Sequence, residues 1–213
     1  MTHILIDIIA RWAHVLFGIT WIGLLYYFNF VQGEYFKEAS KDALPDVKAK
    51  LATRALWWFR WAAMFTFLTG LVLWGLIGAG SSSFIIVGAT LGIFMMLNVW
   101  LIIWPHQKVV LGLKEGDIPT SAAKAGLASR TNTLFSAPML FGMLASKHGA
   151  AFAAGMIPIS AGWSIGLLAA LALMVLIEIN AIVGKMGPMA SVKGVIHLSL
   201  ALTAVMVALL VYL

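Results

Sequence analysis

Apolar runs long enough to cross a lipid bilayer recur along this chain, near residues 8–32, 57–79, 84–104, 132–146, 160–183 and 194–213. A helix needs about 20 such residues to span the hydrocarbon, and a helix satisfies every backbone polar group within its own segment. The fourth run is the shortest and contains Pro138. Composition agrees: 62% of the residues are hydrophobic and only 10% are charged, whereas a soluble domain carries about a quarter charged residues. The alternation of polar and apolar residues that a membrane β-barrel requires is absent. The expected fold is therefore all-α, a polytopic membrane helix bundle of about six transmembrane helices forming a single domain over 1–213.

Charge sets the expected direction of the chain. If all six runs cross, 12 of the 14 basic residues, from Lys37 to Lys193, fall on one side, leaving Arg11 and Lys147 for the other. Basic residues in short loops mark the cytoplasmic face. Segments 33–56, 105–131 and 184–193 are thus expected to be cytoplasmic loops, with both termini outside. This describes a multi-pass protein of a bacterial inner membrane with periplasmic ends. The net charge of +6 then reports topology and lipid contact, and no nucleic-acid partner is expected. The start, Met-Thr-His-Ile-Leu-Ile-Asp, lacks the basic flank and cleavage site of a signal peptide, so the first helix is expected to stay in the protein. The sequence has no cysteine, which excludes disulfides, thiolate metal sites, iron–sulfur clusters and covalent c-type haem within it.

Polar residues inside the apolar runs are the best clue to function, because hydrocarbon tolerates them only when paired or ligated. His14, His106, His148 and His197 lie within or at the ends of those runs. On the first run, Asp7, Arg11, His14, Gly18 and Trp21 recur along one helical stripe. That stripe is expected to face the bundle interior. A histidine with a small residue one turn away suits a flat macrocycle lying against the helix, so haem b is the expected cofactor, with Arg11 near its propionates. Such a haem usually takes a second imidazole at similar depth. Depth pairs His14 with His148 on the outer side and His197 with His106 on the inner side. A buried histidine capped by a backbone carbonyl remains the plainer reading of each.

Glu178 is the one acid well inside the later runs, and Lys185, two turns on, is expected to share its face as an ion-pair partner or a member of a proton path. Asn98, Arg130 and Asn132 complete the polar set. Trp12, Trp57, Trp58, Trp61, Trp104, Tyr26, Tyr27 and Tyr212 fit an interfacial aromatic belt. The pairs Gly88/Gly92 and Gly162/Gly166 fit helix-packing notches. The methionines are scattered, as core or lipid-facing filler would be.

Three segments carry a resemblance. They are Arg-Trp-Ala-His-Val-Leu-Phe-Gly-Ile-Thr-Trp-Ile-Gly (11–23), Asn-Val-Trp-Leu-Ile-Ile-Trp-Pro-His-Gln-Lys (98–108), and Ser-Arg-Thr-Asn-Thr-Leu-Phe-Ser-Ala-Pro-Met-Leu-Phe-Gly-Met (129–143) followed by His148. In order and spacing they resemble the membrane-bound urate oxidase (urate hydroxylase) N-terminal domain family. The resemblance implies a multi-helix membrane domain that in the family's enzyme precedes a periplasmic c-type cytochrome domain. The present sequence has no Cys-x-x-Cys-His and is expected to lack that domain. It departs from the family pattern where Arg130-Thr131-Asn132-Thr133 replaces a His-Asn-Asn-Tyr-like stretch, and where His106 stands in place of asparagine. The first departure weakens urate oxidation and the second weakens His106 as a ligand, while His14 and His148 match. The first-run His-x6-Trp spacing is also similar to the haem-binding membrane family of protoporphyrinogen oxidation.

The expected function is an integral membrane b-haem protein passing electrons toward a periplasmic cytochrome c or a larger membrane complex. The candidate haem ligands are His14 and His148, with His197 and His106 behind them. Two other readings stay open, a cofactor-free accessory subunit of a respiratory or oxidase complex and a copper-handling membrane protein. Whether the chain is itself an oxidoreductase stays open too.

Overall fold

The computed structural model describes residues 2–78, 81–148 and 163–213. Among these the chain is almost wholly helical, with no strands. The long helices are α1 (His3–Glu38), α2 (Ala43–Ile77), α3 (Ser83–Val110), α4 (Ile118–His148), α5 (Ile165–Val183) and α6 (Val192–Tyr212). All except α4 are long and apolar enough to cross a membrane. Ile4, Ile8, Trp12, Val15 and Ile19 repeat along one exposed face of α1. A water-soluble helix would not leave such a stripe uncovered, and lipid is its natural solvent.

The charged segment 33–56 is mostly helix. At 36 residues, α1 is about 54 Å long, well beyond the ~30 Å of hydrocarbon. Helix continues on both sides of a turn near 39–42 because charges pair along it, Lys37 with Glu34 at 2.8 Å and Lys50 with Asp46. These pairs are exposed, so each adds no more than about 1 kcal/mol. The segment 105–131 is likewise helical apart from 111–117, since α3 runs on to Val110 and α4 starts at Ile118. Asp117 caps that start by accepting the Thr120 N–H at 3.0 Å. The Thr120 side chain and backbone together hold its carboxyl below the usual carboxylate range.

The bundle is organised around α4, which packs against α1, α3, α5 and α6, while α2 lies mainly along α1. Ser121, Thr131, Asn132, Thr133 and Ser136, all on α4, are buried. A helix enclosed by others meets little lipid, so it need not be apolar all round. Its hydroxyls bond within its own backbone instead, Thr131 to Leu127 O and Thr133 to Ser129 O, both at 3.1 Å. A close crossing joins α3 and α4 through glycines. A Cβ on Gly142 would stand 2.7 Å from Phe84 O, and one on Gly88 would stand 3.0 Å from Met143 N. Gly88 is thus a packing notch with Gly142 as its partner, whereas Gly92 meets only the Met143 side chain, at 3.8 Å. Gly166 packs against the Leu209 carbonyl of α6, and Gly162 lies outside the described residues.

Candidate functional site

His14 is half-buried where α1 meets α2. Its Nδ1 lies 3.1 Å from the Thr69 hydroxyl. That hydroxyl stands 2.7 Å from Phe65 O and 3.0 Å from Thr66 O. A hydroxyl has one proton, and backbone acceptors this close take it. The Thr69 oxygen then accepts from His14 Nδ1–H, which leaves the lone pair on Nε2. Gly70 gives the ring its space, since a Cβ there would sit 3.2 Å from His14 Cε1.

The rest of the α1 stripe is engaged within the protein. Arg11 is clamped bidentately on Asp7, with Nε–Oδ2 and Nη2–Oδ1 both 2.8 Å, so its charge is balanced one turn away. Gly18 faces Thr66, whose Cγ2 would lie 4.0 Å from an added Cβ; this side of the helix is covered by α2. Trp21 is 2% exposed, and its buried indole N–H has no acceptor among the described residues.

The other histidines diverge. His106 follows Pro105 near the end of α3, with Nδ1 3.3 Å from the Ser121 hydroxyl of α4. His197 is exposed on α6. His148 is the last residue of α4, and its side chain lies outside the described residues, as does any pairing with His14.

Glu178 meets asparagines, and Lys185 takes no part. The helix α5 stops at Val183, so the two-turn spacing does not carry Lys185 onto the face of Glu178. Instead the Lys185 backbone closes on Asn180, whose Nδ2 donates to Lys185 O at 3.2 Å while Lys185 N–H donates to Oδ1 at 3.3 Å. Glu178 Oε2 accepts from Asn98 Nδ2 at 3.1 Å. The same Nδ2 donates to Asn132 Oδ1 at 3.0 Å, and Asn132 Nδ2 donates to Met95 O at 2.9 Å. Asn98 and Asn132 are 1% and 0% exposed. This network ties α3, α4 and α5 together, and Asn98 Oδ1 within it is buried without a partner.

Sequence reasoning passed over Asn29 and Ser199, and it read Tyr26 as part of an aromatic belt, whereas its hydroxyl meets Ser136. Asn29 lies in a π-helical turn, Tyr27–Gln32, and Asn98 opens another, Asn98–Ile103. A π turn disturbs the ordinary backbone ladder, and Asn29 Nδ2 fills one gap by donating to Leu25 O at 2.9 Å and also to Ser129 Oγ at 2.8 Å. An asparagine inside an apolar run was the available signal. Tyr26, Thr133, Ser136 and Ser199 help line a mostly apolar groove of about 230 Å³ between α1, α4 and α6. Its hydroxyls are already engaged: Tyr26 with Ser136 at 2.8 Å, Ser136 with Thr133 O at 2.7 Å and Ser199 with Leu134 O at 2.8 Å.

The sequence model described as "Urate oxidase N-terminal" matches residues 74–211. The chain belongs to the urate oxidase N-terminal family. The family match takes in the end of α2, all of α3 to α5 and nearly all of α6, and with them Asn98, Asn132 and Glu178. Most of the charged helical hairpin and the whole His14 stripe precede it. No curated protein and no solved structure matches the chain.

Proposed function

We propose that this chain is the b-haem-binding membrane domain of an oxidising system of the urate hydroxylase kind, passing electrons toward a periplasmic cytochrome c or a partner complex. The setting is a bacterial inner membrane with both chain ends periplasmic. Membership of the urate oxidase N-terminal family supports the reaction class. The observation that carries the haem reading is the Thr69 contact to His14 Nδ1, because metal-binding histidines are oriented by a hydrogen bond at the other ring nitrogen. His14 would hold the haem iron through Nε2, with His148 as the second candidate. The unpaired Trp21 indole N–H, two turns along, fits an acceptor on a bound group better than Arg11, which Asp7 already holds. Haem supplies one-electron transfer; the protein's part is to fix the imidazole and keep water away.

The expected result is that protein purified from haem-replete cells shows Soret and α bands that His14→Ala abolishes. An unchanged haem spectrum in that variant overturns the assignment. A cofactor-free accessory subunit is the second reading, favoured by α2 covering the Gly18 side of the stripe; it requires a colourless protein that copurifies with large partners. Copper handling gains no support, since Met95, Met139, Met174 and Met206 are buried in the apolar core and the described residues hold no cluster of three His, Asp or Glu suited to a metal.

A further inference from the structure

A carboxyl group inside a membrane helix needs either a cation or a proton. Among the described residues Glu178 has no salt bridge, and the helices packed around it offer no replacement. No titratable residue lies on α3 between Ser83 and Ile103. On α4, Lys124 is exposed and Arg130 interacts electrostatically with Glu34. On α6, Lys193 and His197 are exposed. Glu178 is half-buried and receives one hydrogen bond, from Asn98, which falls short of what an ionised carboxylate requires within the hydrocarbon.

The orientation of Asn98 is fixed by its neighbours. Its Nδ2 has two hydrogens and places them on Asn132 Oδ1 and Glu178 Oε2. Turning the amide over would set its oxygen against both acceptors. Its Oδ1 therefore remains as a buried acceptor with no donor. Asn132 Nδ2 places one hydrogen on Met95 O, and its second makes no hydrogen bond to Asn98 Oδ1. An acceptor left open beside a carboxyl group calls for a hydrogen on the acid or on a water between them. A hard metal ion is a poor occupant, since such ions take six or more oxygens, whereas the oxygens left open here are Asn98 Oδ1 and Glu178 Oε1.

We propose that Glu178, held by Asn98 and Asn132, is a proton-binding site inside the membrane domain. At rest the acid is neutral, with its hydrogen on Oε1. On release the O–H bond breaks, the proton leaves on water, and the carboxylate keeps the electron pair and a charge-assisted bond from Asn98. No electrons are exchanged. Because Asn98, Asn132 and Glu178 belong to three helices, the charge on one carboxyl group is read by the packing of all three. The site stands apart from His14 and does not depend on the haem reading.

The test is infrared difference spectroscopy of the protein in lipid vesicles, titrated from acid to alkaline pH in potassium buffer. A protonated-carboxyl C=O band is expected to persist at neutral pH, to shift in heavy water, to move in frequency in Asn98→Leu, and to vanish in Glu178→Gln. A second reading is the midpoint of thermal unfolding. An acid protonated in the fold and ionised in the unfolded chain makes the wild type lose stability as pH rises above the ordinary carboxylate range. Glu178→Gln is expected to remove that loss. Should Glu178→Gln not fold, the Asn98→Leu frequency shift decides the matter. Absence of the band at neutral pH, its survival in Glu178→Gln, or its loss on replacing potassium with sodium would overturn the proposal, the last in favour of a cation site.

Discussion

At the scale of single residues, the polar groups that matter are those that satisfy one another across helices. Asn132 accepts from Asn98 and donates to Met95 O with no exposure at all. Replacing it by leucine keeps the volume but strands one amide hydrogen of Asn98 and removes the side-chain donor from a backbone carbonyl. Each stranded buried group costs about 1–3 kcal/mol. Asn132→Leu is therefore expected to destabilise the bundle by about 3 kcal/mol, measured by denaturant unfolding in mixed micelles. A change of less than about 1 kcal/mol would mean that water reaches these groups. The sequence marked Asn98, Asn132 and Glu178 as costly residues in apolar runs, but not as neighbours. Their meeting depends on how α3, α4 and α5 rotate and stagger, which hydropathy does not encode. Lys185 failed as a partner for a local reason, the end of α5 at Val183.

At the scale of elements, the α3–α4 crossing rests on the absence of two side chains. In Gly142→Ala the new carbon would lie 2.7 Å from Phe84 O and 2.9 Å from Gly88 N. Both are backbone atoms and cannot step aside as a side chain would, so the helices must separate. Overpacking of this kind costs about 1–3 kcal/mol, and the upper end is expected here. Gly75→Ala is the matched control, because nothing lies within 4 Å of its added carbon. There the better helix propensity of alanine is expected to leave stability unchanged or slightly higher. Equal effects from both variants would show that close approach at Gly142 is unimportant. Gly88 was legible in the sequence as a small residue in an apolar run, but its partner was not. Gly92, read with it as one notch, lies one turn along the same helix, and a notch needs a surface opposite. The helical character of α4 was visible only in part, because a helix covered by neighbours on most sides loses the apolar signal that lipid imposes on the other five.

At the scale of the whole molecule, the asymmetry of charge is the strongest constraint on how the bundle sits in its membrane. The α1–α2 hairpin extends its charged turn past the hydrocarbon, bringing Lys37, Lys41, Lys48 and Lys50 together at one end of the molecule. The Trp104 ring on α3 lies 3.8 Å from the Arg60 guanidinium of α2 and 5.8 Å from Lys108 Nζ, and the Trp100 indole donates to Arg60 O at 3.1 Å. Aromatic rings with basic groups over them suit the headgroup layer, where the ring sits among lipid and the cation meets phosphate. Lysine-rich ends stay cytoplasmic because moving them across the membrane is costly, so the hairpin turn and this aromatic cluster are expected on the inner side. If α4 crosses together with the five apolar helices, both chain ends then lie outside. Alkaline phosphatase, active only outside the cytoplasm, is expected to be active when fused after Leu213 and inactive when inserted at Ser40, with a fluorescent protein that folds only inside giving the reverse. Activity at both positions would mean that the hairpin turn itself is outside, and the charge argument would fail. Activity at neither would mean that α4 does not cross, leaving an odd number of spans and the two ends on opposite faces.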